Sequence, residues 1–262
     1  MKTSFQIFIL CALFSASLRS ETVIAVAPAF LHFDYTEYNT SNRVLDRETG
    51  WIPGLQLVGN TKITEYLRME FSAATYHGAV DYTGHTNKGR AHETRTDETL
   101  THAGARLTGR LTAQTNLFLG MQFREWRRDI RDNNGVFGLF EIYRWQELSA
   151  GAEAVLLTNS TQQWRVEVSG LKIINPELFV DLGRVNAGTA NLRLGEEFGS
   201  RFKLTWIYFL SDPWAMNVNA YVELWDFGRS DLQRTSNGAT LVSEPRSETR
   251  NAGVQLAVQY TF

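Results

Sequence analysis

Every second residue from Ala252 to Phe262 is apolar, and the residues between them are glycine, alanine, glutamine or threonine. A period of two residues puts successive side chains on opposite faces of an extended chain. The segment is therefore predicted to be a β-strand with one wholly apolar face and one small or polar face. Tyr260 and Phe262 lie together on the apolar face.

The same alternation recurs along the rest of the chain, interrupted by turn residues. Nine further strands are predicted, at residues 22–35, 51–58, 65–82, 99–111, 117–130, 136–157, 164–172, 192–210 and 215–227. Four connections are short, at residues 59–64, 112–116, 158–163 and 211–214, and the others are mostly long and polar, such as 36–50, 83–98 and 228–249. The pattern predicts an all-β fold, a single transmembrane antiparallel up-and-down β-barrel of about ten strands, with eight to twelve as the range.

Two segments leave alternatives open. Arg144 and Gln146 fall on the otherwise apolar face of residues 136–157, so either a β-bulge shifts the register or this half stands above the bilayer. Residues 173–188 are either a loop or an extension of the preceding strand.

The closing strand, with Tyr260 and Phe262 on one face, resembles the last strand of bacterial outer-membrane β-barrels. The resemblance implies that these two residues are an assembly signal read by the barrel-assembly machinery. It also implies a monomer in the outer membrane of a Gram-negative cell, in contact with membrane lipid and lipopolysaccharide. Short turns are then periplasmic, and longer loops lie at the cell surface.

The first residues contain one charge, Lys2, followed by an apolar run and then small residues. This predicts a signal peptide over residues 1–20, cleaved after Ser17 or Ser20, and a barrel over 21–262. Cys11 follows Leu10, which does not fit a lipoprotein signal. It is the only cysteine, so no disulfide is expected.

Composition narrows the class of protein. No later stretch approaches 18 uninterrupted apolar residues, so no membrane-spanning helix is expected. The mean hydropathy of −0.25 is compatible with a barrel, because only alternate residues face lipid. A net charge of −2 gives no reason to expect nucleic acid as a partner.

The face opposite the apolar one is rich in long charged side chains of both signs. The predicted lumen network consists of Arg68, Glu70, Arg106, Arg110, Arg124, Arg128, Glu147, Glu153, Arg165, Glu167, Glu197, Arg201, Lys203 and Glu223. Asp34, His32 and His102 are also expected to point inward. A ten-stranded lumen is narrow, and buried charges must pair. The network is interpreted as a salt-bridged plug, with a narrow, weakly selective pore as the alternative.

The sequence contains only weak signals for a catalytic or a metal-binding site. Omptin-like proteases also have ten strands and use an acidic pair with an Asp–His pair near the outer rim. The nearest approximation here is Asp81 with His85, which could activate a water but more simply lies solvated in a loop. No His-x-Ser motif points to a barrel lipase. The spacing of His77, His85 and His92 fits no compact metal site, so no metal or cofactor is expected.

The expected function is that of an outer-membrane barrel with an occluded lumen. It would act structurally or in surface binding and adhesion through its extracellular loops, and enzyme activity is left open but not favoured. A porin-like solute channel and a rim-located omptin-like hydrolase are the alternatives. Six loop arginines are candidates for binding an extracellular ligand: Arg43, Arg47, Arg90, Arg95, Arg229 and Arg234.

Overall fold

The computed structural model describes residues 21–86, 89–238 and 240–262. The chain forms thirteen β-strands and one short 3-10 helix in these residues: β1 (Thr22–Tyr38), β2 (Val44–Lys62), β3 (Leu67–His85), β4 (Ala91–Arg110), β5 (Thr115–Ile130), β6 (Phe140–Thr158), β7 (Gln162–Asp181), η1 (Gly183–Val185), β8 (Thr189–Arg193), β9 (Phe198–Ser211), β10 (Trp214–Phe227), β11 (Gln233–Arg234), β12 (Leu241–Val242) and β13 (Arg246–Thr261). No helix among them is long and apolar enough to cross a bilayer. The predicted signal peptide lies outside the described residues.

The strands close into a ten-position antiparallel barrel. Each strand from β1 to β7 pairs with the next, β7 pairs with β9, β9 with β10, and β10 with β13. The ring closes where β1 pairs with β13, for example Phe30 opposite Val254. Strand β8 shares one position with β9, because it pairs with the outer part of β7 while β9 pairs with the rest. The predicted up-and-down barrel of ten strands is confirmed.

An apolar band surrounds the barrel near the four short turns. Its exposed members alternate with inward residues along every strand and include Val26, Phe30, Leu55, Leu57, Phe71, Leu107, Leu117, Leu119, Phe123, Leu148, Val168, Phe202, Val222, Leu224, Val254, Leu256 and Val258. Beyond this band the outer surface is charged, with pairs such as Arg47–Asp34 at 2.6 Å and Arg144–Glu125 at 2.7 Å. A belt of this kind is the surface that faces lipid in transmembrane barrels.

The strands extend well past the apolar band, which corrects the predicted loops. Residues 36–50 and 83–98 were expected to be polar loops, but β1 and β2 run to within five residues of one another, and β3 and β4 likewise. Their outer halves alternate polar side chains on both faces, so hydrophobic alternation does not reveal them. For the same reason, the predicted strand 51–58 is too short.

The ambiguous half of β6 lies beyond the band. Its side chains keep their alternation, so Arg144 stays on the outer surface. The irregularity lies in β7 instead: Arg144 pairs with Glu177 and Gln146 with Ile174, which leaves one extra residue in β7. Asn175 occupies this bulge with φ of +48°. Residues 173–181 are therefore a strand extension that a β-bulge puts back in phase.

In strand β1, the face that points into the barrel is the opposite of the one predicted. Its interior face is Ala25, Ala27, Ala29, Leu31, Phe33, Tyr35 and Glu37, all buried. His32 and Asp34 point outward, where His32 contacts the ring of Trp51 and Asp34 pairs with Arg47. The expectation that both face the lumen is wrong. Alternation could not decide the side, since Val26 and Phe30 on the other face are also apolar.

Candidate functional site

The barrel interior is built in successive levels, and strand β5 passes through three of them. Arg124, Trp126 and Arg128 all point inward along β5, because alternate residues share one face. Arg124 belongs to a central ion-pair cluster, Trp126 to an aromatic layer and Arg128 to a carboxyl cluster at the outer mouth. On β6 the residues Glu147, Trp145, Tyr143 and Glu141 follow the same order.

The central cluster contains two arginines and two glutamates, all inward-facing. Arg124 donates two hydrogen bonds to Glu223, at 2.7 and 2.9 Å, and its Nη2 lies 3.0 Å from Glu147. Arg201 donates to Glu223 at 2.6 Å and to Glu147 at 3.0 Å. The four charges cancel, so their mutual pairing offsets the cost of removing each from water.

A lower cluster lies nearer the short turns. Arg106 donates to Glu167 at 2.6 Å and to Glu70 at 3.2 Å. Lys203 lies 2.7 Å from the same Glu167 oxygen. Arg68 and Arg165 lie 3.3 and 4.0 Å from Glu153.

Twelve of the fourteen predicted lumen residues thus join ion-pair clusters in the interior. The other two, Arg110 and Glu197, do not belong to these clusters. Arg110 borders the open lower end of the interior but is exposed at the end of β4, and Glu197 is exposed at the break between β8 and β9; neither forms an ion pair with another described residue. His102 points inward, in agreement with the alternation on β4.

A cavity of about 860 Å³ occupies the lower half of the interior. It is bordered by turn residues such as Pro213 and Trp214 at one end and reaches Leu31, Leu100 and Trp145 at the other. Above these residues the lumen is filled by the aromatic layer, which consists of Phe33, Tyr35, Trp126, Tyr143, Trp145, Trp225 and Phe227, each at most 5% exposed. The rings of Trp126 and Tyr143 stack at 4.4 Å between centroids. The cavity therefore opens toward the short turns and ends below the outer mouth.

The carboxyl cluster at the mouth was not foreseen from the sequence. Arg128 is its one arginine: it donates to Glu48 at 3.0 Å, Glu37 at 2.9 Å and Glu141 at 2.8 Å, and it lies 3.6 Å from Asp46. Glu98 accepts a hydrogen bond from the Trp126 indole. Glu244, from the segment before β13, completes the group. Most of these acids come from stretches interpreted as loops, where continued alternation of single polar residues was the only available signal.

The candidate catalytic residues face away from the interior. Asp81 and His85 both lie on the outer surface of β3, four residues and about 13 Å apart along the strand. Asp81 lies 3.7 Å from Arg95, and its side chain is 79% exposed. His77 also points outward, whereas His92 is buried inside the barrel. No group of three possible metal ligands occurs among the described residues.

Comparisons with known proteins support the fold. No family model matches the chain, and no curated protein matches it. Among solved structures it is similar to the outer membrane protease OmpT from Escherichia coli, with a TM-score of 0.57, 11% identity and coverage of 93% of this chain and 96% of that one. The translocator domain of the autotransporter NalP from Neisseria meningitidis gives a TM-score of 0.48 at 11% identity, covering 91% and 88%. OprG from Pseudomonas aeruginosa gives 0.47 at 10%, covering 93% and 96%.

Proposed function

We propose that this chain, which has the fold of bacterial outer-membrane β-barrels, resides in the outer membrane as a non-conducting barrel that binds anionic saccharides at its outer mouth. The observation that carries the binding role is a group of four exposed arginines on three outer loops: Arg43, Arg90, Arg229 and Arg234. None of them forms an ion pair with a described carboxylate. We call this group the mouth arginines.

The mouth arginines all lie at the outer end of the barrel. Arg43 and Arg90 lie on the loops that join β1 to β2 and β3 to β4, whereas Arg229 and Arg234 lie on the connection from β10 to β13, which includes β11. Asp231 is the one exposed carboxylate among the described residues of these loops, since Glu244 is buried. The guanidinium group suits sulfate and phosphate, because its planar donors can bind two oxygens at once.

Arginines below the mouth provide a contrast. Arg47, Arg95, Arg131 and Arg144 each lie within 4 Å of an outward carboxylate, for example Arg131 and Asp97 at 2.6 Å. Pairing of this kind reduces their attraction for an external anion. The mouth arginines have no such competitor among the described residues.

The test uses heparin as a model sulfated saccharide and the barrel reconstituted in lipid nanodiscs. Replacing all four mouth arginines with glutamine is expected to weaken binding at least tenfold, since about 1 kcal/mol or more per charge-assisted contact would be lost. The matched control replaces Arg47, Arg95, Arg131 and Arg144 with glutamine and changes the net charge equally. It should retain most of the affinity. Equal losses in the two variants, or no binding by the wild type, would refute the proposal.

The two alternatives receive less support. A solute channel needs a continuous path, whereas the cavity ends below a layer of buried aromatic rings. A hydrolase built on Asp81 and His85 needs them within reach of one water, and they are too far apart on an exposed strand face. Incubation with peptides or lipid A, comparing wild type with Asp81→Ala and His85→Ala, tests that remaining alternative.

A further inference from the structure

The segment between β10 and β13 folds back over the mouth and inserts one carboxyl group into the interior. We call residues 228–238 and 240–245 the mouth segment. Its Glu244 is 6% exposed, and the carboxyl group accepts hydrogen bonds from Tyr143 at 2.7 Å and Tyr35 at 3.4 Å. The backbone of Glu244 is held too: its N–H donates to the Ser230 hydroxyl at 2.7 Å, and its carbonyl accepts from the Ser230 N–H at 3.0 Å.

Glu244 lies among other acids, and no cation among the described residues forms an ion pair with it. Glu37 from β1 and Glu141 from β6 share its two tyrosine partners, at 3.0 Å from Tyr35 and 3.4 Å from Tyr143. Asp46, Glu48 and Glu98 from β2 and β4 complete the carboxyl cluster around Arg128 of β5. Arg128 pairs with Glu37, Glu48 and Glu141, but no ion pair joins it to Glu244.

The charges of this cluster cannot all be present at once. Six carboxylates and one guanidinium would give a net charge of −5 in a region sheltered from water, and several uncompensated buried charges are very costly. The two tyrosines supply only two hydroxyl protons for their four carboxyl contacts. Some of the acids must therefore be protonated, and Glu244, which forms no ion pair with Arg128, is expected to be among them.

We propose that Glu244 is a proton-controlled latch: its neutral carboxyl group docks the base of the mouth segment, where Glu244 is bonded to Ser230, on the barrel, and its ionisation releases that base. The tip of the segment is a separate attachment, because Ser236 and Asn237 bond to Thr189 and Asn186. When Glu244 loses its proton, it faces Glu37 and Glu141 at close range with the same charge. Unlike those two residues, it can leave the cluster, because it lies on a connecting segment and not on a barrel strand. Burial, with Glu37 and Glu141 beside it, holds the pKa of Glu244 well above the usual range. This latch does not depend on saccharide binding by the mouth arginines.

The test measures the position of the mouth segment against pH. Residues 21–262 contain no cysteine, so spin labels at Leu232→Cys and Thr40→Cys report one defined distance in the full barrel. At pH 5 we expect a narrow distance distribution, and at pH 9 a broad one shifted to longer values. Glu244→Gln keeps an acceptor for Tyr143 but cannot ionise, and it should stay narrow up to pH 9. Asp231→Asn, on the same segment but exposed, should respond to pH like the wild type.

Three outcomes would overturn the latch. They are a wild-type distribution that does not change from pH 5 to 9, a Glu244→Gln variant that broadens like the wild type, and a response to added calcium chloride at constant pH in place of the response to pH. If Glu244→Gln does not fold, as judged by unchanged gel migration on boiling, the wild-type titration still decides the matter.

Discussion

The hydroxyl groups of Tyr76 and Tyr221 meet 3.3 Å apart across the barrel interior, and each tyrosine ring lies over a glycine of the neighbouring strand. Tyr76 pairs with Gly54, and Tyr221 pairs with Gly253. A β-carbon at Gly54 or Gly253 would lie 2.4 or 2.3 Å from the facing ring. Aromatic packing over a strand glycine offsets the loss of a side chain at that position.

Alanine at Gly253 is therefore expected to push the Tyr221 ring out of place and break its contact with Tyr76. We expect a loss of about 1–3 kcal/mol in the free energy of unfolding, the usual cost of overpacking. Urea unfolding of the reconstituted barrel, followed by tryptophan fluorescence, measures it. Gly59→Ala is the control, because nothing lies within 4 Å of a β-carbon there. Equal destabilisation by both substitutions would show that the ring contact is not the cause.

The barrel could be predicted from the sequence because the residues of each strand that face lipid must be apolar. The strand number and the interior direction of Arg106, Arg124 and Glu223 follow from alternation alone. Strand β1 is the exception, since Phe30 and Phe33 give it two apolar faces, and only tertiary contacts select the buried one.

The carboxyl cluster could not be predicted for a different reason. Glu37, Asp46 and Glu98 lie beyond the apolar band, where water faces the outside and polar residues are acceptable on both faces. Which acids meet Arg128 depends on strand register around the ring, and its partner Glu37 is 91 residues away in sequence. The β7 bulge at Asn175 is equally hidden, because a single extra residue leaves no clear periodic signal.

For the central ion pairs, removing one charged partner is expected to cost more stability than removing both partners. Arg124→Met leaves Glu147 and Glu223 facing only Arg201, and we expect a loss of about 3–5 kcal/mol from the uncompensated charge. Arg124→Met combined with Glu223→Met leaves the neutral pair Arg201–Glu147 and should cost less than the single change. The same urea assay measures both. A double variant less stable than Arg124→Met would contradict this account.

The bulge residue Asn175 tests whether backbone conformation limits strand β7. Its φ of +48° is in the left-handed region, which costs a β-branched residue more than asparagine or glycine. Asn175→Val should destabilise the barrel by about 1–2 kcal/mol, whereas Asn175→Gly should have little effect. Thermal unfolding in detergent, compared with the wild type, distinguishes the two. If valine and glycine had equal effects, conformation would not be the limiting factor.

Asp46, at the outer end of the barrel, is expected to make the free energy of unfolding depend on pH. Burial, and Glu37 beside it, raise the pKa of Asp46 well above the usual range. The folded state then holds a proton that the unfolded chain releases above about pH 3.9. The resulting stabilisation is complete below that pH and is lost as the pH rises toward the raised folded-state value. Asp46→Asn should therefore flatten the decline in unfolding free energy between pH 4 and 8, whereas exposed Asp231→Asn should not. A steeper decline in Asp46→Asn would reverse the assignment.

The aromatic layer is expected to prevent the barrel from conducting ions. Trp126 and Trp225, each at most 1% exposed, fill the lumen above the cavity. In planar bilayers the wild type should give no steady open-channel current. Replacing both with alanine removes two of the layer's three tryptophans, lets water reach the polar carboxyl cluster, and should produce a measurable current. The control replaces Trp164 and Trp206, which stack on the outer surface with ring centroids 6.0 Å apart; it removes the same chemical groups and should remain silent. Steady current through the wild type would mean that the aromatic layer does not seal the lumen, and current through the control alone would place the conducting path outside it.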